Sequence, residues 1–308
     1  MITQSPGMID ELMDSLILDR LPRLDALETM LTELCRQSED TERVVHEFKQ
    51  AMHLRVGVRD ILGKDSVLDT HRALSNIAEA CLRQIIQVEY ALLVERYGLP
   101  TRDDGRTVAF AVLGLGKLGG QEPNYHSDLS LIVLFEQDGM TRNEKSRSES
   151  ASTTCRYFFE QLAQRLMRRC NRPNSRHGRL YEVDVRFGPL GKSGVLAMEL
   201  EPFLGYFDQS NSSTIERLSL CKARPIAGRP GFSSHVMKAI GGLIQRFAFT
   251  DQDREALLNY RDATNSTASI QNIKRGEGGT LDVECLVQSL QLKHASAIPE
   301  ILVPGTLE

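Results

Sequence analysis

The hydrophobic positions fall into three regimes along the chain. From Met8 to about Tyr97 they recur every three or four residues: Ile9, Leu12, Met13 and Leu16, then Leu24, Leu27, Met30, Leu31 and Leu34. That spacing places apolar side chains on one helix face, so helices are expected and strands are not. A second helix is expected from about Thr41, with Val44, Phe48, Met52, Val56 and Ile61 on one stripe, ending at Gly63. A third starts near Asp69, carries Leu74, Ile77, Cys81, Ile85, Val88 and Leu92, and stops at Gly98 ahead of Pro100. Together these predict a helical bundle packed on one side of the central region.

Between 107 and 231 the pattern is mixed. Residues 107–115 and 129–136 are apolar runs and predict strands, and the polar stretch 138–150 predicts a mobile loop. Residues 153–170 predict an amphipathic helix with Phe158, Leu162, Leu166 and Met167 facing inward. Residues 179–187 alternate as a strand, but Leu180, Glu182, Asp184 and Arg186 make no clean apolar face. A polar strand face inside a mixed domain suggests a site rather than a core. After Phe232 the helical period returns through Leu243, Phe247, Leu257 and Leu258, breaks at Gly278 and Gly279, and resumes over 283–294. The expected organisation is a helical bundle (1–104), a mixed central domain (105–231) and a C-terminal helical segment (232–308). The fold class is α+β: a small mixed sheet with flanking helical bundles.

Composition narrows the function classes. Charged residues make up 25% and the net charge is −4, which gives no footprint for nucleic acid or an anionic membrane. No apolar run approaches the roughly 20 residues needed to span a bilayer. The first residues lack a basic segment followed by a long apolar one, so no signal peptide is expected. The six cysteines are scattered with no C-x-x-C pair. That argues against a zinc site or a disulfide scaffold, and favours reduced thiols in the cytoplasm.

The candidate chemistry lies between Val112 and Phe135. An apolar run enters a turn rich in glycine (Gly114, Gly116, Gly119, Gly120), a polar segment comes next, and Ser127-Asp128 opens a second apolar run. Backbone N–H groups of such a turn can cradle phosphate oxygens, with Lys117 adding charge, although many glycine turns are only tight turns. The G-x-x-x-x-G-K-[ST] spacing of a Walker loop is absent. Asp128 heads a strand, and residues two apart share a strand face, so position 130 would share its site. Asp184, on another strand, could complete a metal site and take the proton of an attacking hydroxyl.

The run Gly114-Leu115-Gly116-Lys117-Leu118-Gly119-Gly120, with His126-Ser127-Asp128 downstream, resembles the core of the glutamine synthetase adenylyltransferase (glutamate-ammonia-ligase adenylyltransferase) family, within the nucleotidyltransferase superfamily. Further blocks resemble that family in order along the chain: Phe48-Lys49-Gln50-Ala51, Arg59-Asp60-Ile61-Leu62-Gly63, Asn76-Ile77-Ala78-Glu79-Ala80, Leu180 to Arg186, Gly191-Lys192-Ser193-Gly194, Lys222 to Gly228, and Gly278 to Glu284. The versions at Phe48 and Tyr181 look most like the family's C-terminal, adenylylating half.

The resemblance implies a nucleotidyltransferase-type sheet and transfer of AMP from ATP to a tyrosine of glutamine synthetase, a step in nitrogen regulation. It implies Mg²⁺ and ATP as cofactor and substrate, with glutamine synthetase and a nitrogen-signalling regulatory protein as partners. By position Asp128 and Asp184 would be catalytic and would hold Mg²⁺. Gly116, Lys117, Gly119, Gly120, Ser127 and Arg186 would bind the nucleotide.

The sequence departs from that pattern at several points. Ser130 stands where the family has a second aspartate. Gly188 replaces an arginine in Arg186-Phe187-Gly188-Pro189, and Cys285 replaces an aromatic. No tryptophan precedes Glu216. The C-terminal segment is expected to be shorter than the family's. Serine is a weak Mg²⁺ ligand beside a carboxylate, so one metal is expected to be lost or weakened. The alternative function is a catalytically silent module of the same fold that binds nucleotide or a partner. A third class is a related transferase with another acceptor. Lys117 reads equally as a surface lysine, Arg186 as the partner of an acid, and His126 as a polar turn residue. Glu122 and Glu182 read as rim acids, and Asp282 and Glu284 as packing or capping residues.

Overall fold

The computed structural model describes residues 21–142, 152–174, 178–185, 187, 195–208, 212–266 and 272–307. It shows a small mixed sheet and flanking helices, an α+β fold. The helix expected over Ile9 to Leu16, most of the loop 138–150, and Arg186 fall outside the described residues. The chain divides into two compact units. Among the described residues, the first holds those up to Thr101, 121–129 and 140–184. The second holds 102–120, 130–139 and those from Val185 onward.

The first unit is mostly helical. It contains α1 (Leu24–Arg36), α2 (Thr41–Ile61) and α3 (Val67–Tyr97). Each of the last two starts on a side-chain cap. Asp40 accepts from the Arg43 N–H, and Ser66 from the Asp69 N–H, satisfying donors that a helix start leaves without partners. α3 ends at Gly98, whose φ of 88° suits glycine. Its stripe of Leu74, Ile77, Cys81 and Ile85 is buried, as are Leu27 and Leu31 of α1. Each such apolar side chain contributes about 1.5–3 kcal/mol when fully buried. Several residues expected on inner stripes lie outside, Leu34 among them. Ile61 is 87% exposed where α2 ends, and Met30 and Leu92 are also exposed. Leu93 takes the inner place beside Leu92.

After α3, the short strand β1 (Leu99–Thr101) enters the same unit. The bundle is closed by α5 (Cys155–Asn171), which packs on α3 and places the Phe158 ring edge-on to Tyr90. Buried Glu89 accepts from Arg165 and Arg169, so its charge is paired. β4 (Met140–Arg142) pairs antiparallel with β1.

The second unit holds the sheet. β2 (Phe110–Gly114) lies between β3 (Leu129–Phe135) and β7 (Arg224–Gly228), antiparallel to both. The unit boundary falls after Leu129, the first residue of β3. β6 (Met198–Glu199) runs parallel to the end of β3. The one-turn helix α4 (Gly116–Gly119) comes directly after β2. The remaining helices are α6 (Leu200–Asp208), α7 (Thr214–Leu220), α8 (Pro230–Arg246), α9 (Asp251–Ser266) and α10 (Thr280–His294). Phe203 and Phe207 of α6 and Val236, Ile240 and Leu243 of α8 join the core formed by Leu113, Ile132 and Leu134. α10 starts three residues before the expected Val283. Asp282, on its first turn, pairs with Arg261 and accepts the Gly278 N–H.

The expected strand 179–187 is only two residues long, β5 (Val183–Asp184). The N–H groups of Leu180 and Tyr181 both donate to the Cys170 carbonyl near the end of α5. They finish a helix rather than continue a ladder. Val183 is bracketed by the Asn171 side chain, which donates to its carbonyl and accepts from its N–H, each at 2.8 Å. An amide side chain thus occupies the place of a neighbouring strand.

Candidate active site

In the first unit, Asp128 lies directly before β3 and is exposed, and Asp184 ends β5 half-buried. The Leu129 N–H donates to the Glu182 carbonyl at 2.8 Å, so these two segments run side by side. Just upstream, Asn124 builds a turn. Its side-chain oxygen accepts from the His126 N–H and from the Ser127 hydroxyl, each at 3.0 Å, and that hydroxyl accepts the Asn124 N–H at 2.9 Å. Such side-chain turns fix short loops. The Ser127 hydroxyl therefore helps to shape the turn that presents Asp128.

In the second unit, the glycine-rich stretch folds as α4. Gly116 and Lys117 are half-exposed, whereas Gly119 and Gly120 are buried. Gly116 has φ +50° and open space around it, so its glycine answers to backbone shape. Gly119 has an ordinary φ but no room, because the Lys222 and Gly114 carbonyl oxygens lie where a side chain would start. Arg224 donates to the carbonyls of Leu118 (3.1 Å) and Gly119 (3.0 Å), closing the last turn of α4. Packing alone thus accounts for Gly119.

A set of residues in the first unit was not singled out from the sequence. Lys49, His53 and Asp60 share one face of α2. Lys49 donates to the Leu180 carbonyl at 2.6 Å and sits 4.4 Å from the Tyr181 ring centre. His53 lies 6.1 Å from the Tyr125 ring, edge-on, and 6.2 Å from the Tyr181 ring. Its Nε2 is 3.4 Å from the Tyr181 hydroxyl. The Tyr125 hydroxyl donates to Asp60 at 3.2 Å. Burial, then the charge of Lys49 and of His126, pushes His53 down to about 3, so its imidazole is neutral near pH 7. Burial also lowers Lys49, and burial plus the Asp60 charge raises Tyr125 to about 12. The sequence offers little signal for them, because α2 carries many other polar residues, among them Glu47, Gln50, Arg55 and Arg59.

The sequence profile of glutamate-ammonia ligase adenylyltransferase matches residues 1–239. The chain belongs to this family. It is 30% identical over 310 residues to a bifunctional glutamine synthetase adenylyltransferase/adenylyl-removing enzyme of Thioalkalivibrio sulfidiphilus. The match covers 97% of this chain and 31% of that protein, so the chain spans about a third of its relative's length.

Among the described residues, no three His, Cys, Asp or Glu side chains come together as a metal-holding group. Asp128 and Asp184 belong to the two segments joined by the Leu129 to Glu182 bond, and their carboxylate oxygens are hard donors of the type Mg²⁺ selects. By donor chemistry these two carboxylates would suit a Mg²⁺ ion that brings further oxygen ligands with its nucleotide, rather than a standing three-ligand cage. Arg186, expected to bind nucleotide, lies outside the described residues. No described helix is long and apolar enough to cross a membrane.

Proposed function

We propose that this chain binds ATP with Mg²⁺ and transfers AMP to a tyrosine hydroxyl of glutamine synthetase in the cytoplasm, releasing pyrophosphate. The observation that carries the reading is the Leu129 to Glu182 hydrogen bond, which lays the Asp128 segment along the Asp184 segment inside a chain of this family. Asp128 and Asp184 hold the metal, and Asp184 accepts the proton of the attacking hydroxyl. Gly116, Lys117, Gly119, Gly120, Ser127 and Arg186 bind the nucleotide. When bound, Mg²⁺ supplies charge neutralisation on the phosphates. The protein's part is positioning and fixed charge, the main levers in phosphoryl-type transfer. A nitrogen-signalling protein is a second partner in this reading.

A second reading is favoured by Ser130, which removes a carboxylate from the Asp128 face. In it the chain binds nucleotide or a partner protein without transfer. Incubation with α-labelled ATP, Mg²⁺ and glutamine synthetase separates the two. Label on glutamine synthetase supports transfer. Nucleotide binding without label supports the silent module.

A further inference from the structure

We propose that His53 is a positioning residue for the two carboxylates, a wedge between Tyr125 and Tyr181 that sets the spacing of Asp128 and Asp184. This rests on the reading of those aspartates as metal ligands.

Tyr125 stands three residues before Asp128, and Tyr181 three residues before Asp184. Both rings meet the same imidazole, at 6.1 and 6.2 Å. Three residues of chain span at most roughly 10 Å, so a fixed ring restrains where its carboxylate can go.

The wedge sits on a rigid support. α2 runs over 21 residues and carries a side-chain cap at its start. From one face of it, Lys49 donates to the Leu180 carbonyl and meets the Tyr181 ring, His53 meets both rings, and Asp60 accepts from the Tyr125 hydroxyl. Neutral His53 can hydrogen-bond Tyr181 without adding charge beside Lys49. Both aspartate segments are therefore referenced to a single helix. The Leu129 to Glu182 bond also joins the two segments directly. Supporting groups of this kind, one step behind metal ligands, typically change metal affinity by about 10- to 100-fold when removed.

The test uses the full chain and reads Mn²⁺ binding by electron paramagnetic resonance, in the presence of ATP with a methylene bridge between its α and β phosphorus atoms. His53→Ala is expected to weaken Mn²⁺ binding about tenfold or more. His53→Phe, which keeps a ring between the tyrosines, is expected to stay within about twofold of the parent. Leu31→Ala, a buried change on α1 with a comparable stability loss, is also expected to stay within about twofold. If His53→Ala does not fold, His53→Gln, polar but without a ring, reads the same shift. The proposal is overturned if the His53 variants bind Mn²⁺ like the parent, if Leu31→Ala weakens binding as much as they do, or if the parent binds no Mn²⁺ with the nucleotide. No AMP transfer enters this readout. A positive result without label on glutamine synthetase would therefore defeat the transferase reading and leave the wedge standing.

Discussion

The carbonyl oxygen of Lys222 lies 1.8 Å from where a side chain on Gly119 would place its first carbon. The Gly114 oxygen lies 2.6 Å from the same point. Both obstacles are backbone, so neither can swing aside. Gly119→Ala is expected to cost about 3 kcal/mol or more through forced backbone shifts. Gly116→Ala meets no atom and carries only the strain of its positive φ, about 1–2 kcal/mol. Urea denaturation of the two variants checks the ranking. Equal losses would contradict this account of the turn.

His53 makes stability depend on pH. Its imidazole titrates near 6.5 when unfolded and near 3 when folded, so on acidification the unfolded chain takes the proton first. The contribution is fully present above about pH 7 and is lost as pH falls through 6.5 toward 3, with about 2 kcal/mol gone by pH 5. His53→Phe should flatten that part of the profile. An unchanged slope between pH 5 and pH 7 in this variant would show that the imidazole is not held neutral.

Asn171 should matter to β5 as a strand neighbour would. Asn171→Ala removes two hydrogen bonds from Val183, the residue before Asp184. Leaving those backbone groups unsatisfied is expected to cost about 2–4 kcal/mol in total. Thermal unfolding reads the loss. A change within about 0.5 kcal/mol, the usual range for surface substitutions, would mean that water replaces the amide without penalty.

Much of the fold was legible because helical and strand periods were strong. The helices over Thr41–Ile61, Val67–Tyr97 and Cys155–Asn171 and the strands over Phe110–Gly114 and Leu129–Phe135 match where apolar residues recur. The short strand at Val183 is shorter than expected because alternation cannot reveal that Leu180 and Tyr181 bond to a helix end. Leu200, Phe203 and Phe207 line one face of α6, but in so short a segment that period carries little weight. At the site, the candidate acids stood out by position. The group behind them did not, because Lys49 and His53 meet Tyr125 and Tyr181 only through tertiary packing. The glycine pattern points to phosphate, whereas Gly119 is accounted for by close packing that no local pattern encodes.

Ser130 is the point where the chain departs most from an acidic site. It comes directly after Leu129 on β3, so a carboxylate there would share the strand face of Asp128. Ser130→Asp is expected to tighten Mg²⁺–ATP binding, and transition-state charge stabilisation of this kind is worth about 3 kcal/mol, roughly a hundredfold in rate. With Mg²⁺ in excess, repulsion among the acids is offset. Calorimetry of Ser130→Asp, alone and with Asp128→Ala, checks this. No gain in the single variant would show that the pocket differs at more than this position.

AMP transfer through Asp128 and Asp184 is the reaction proposed for this chain. The most direct measurement is mass spectrometry of glutamine synthetase after incubation with this chain, ATP and Mg²⁺. A tyrosine carrying one AMP is expected, with the modified fraction lost in Asp128→Ala and in Asp184→Ala. Unmodified glutamine synthetase with the parent chain, or equal modification by both variants, would contradict it.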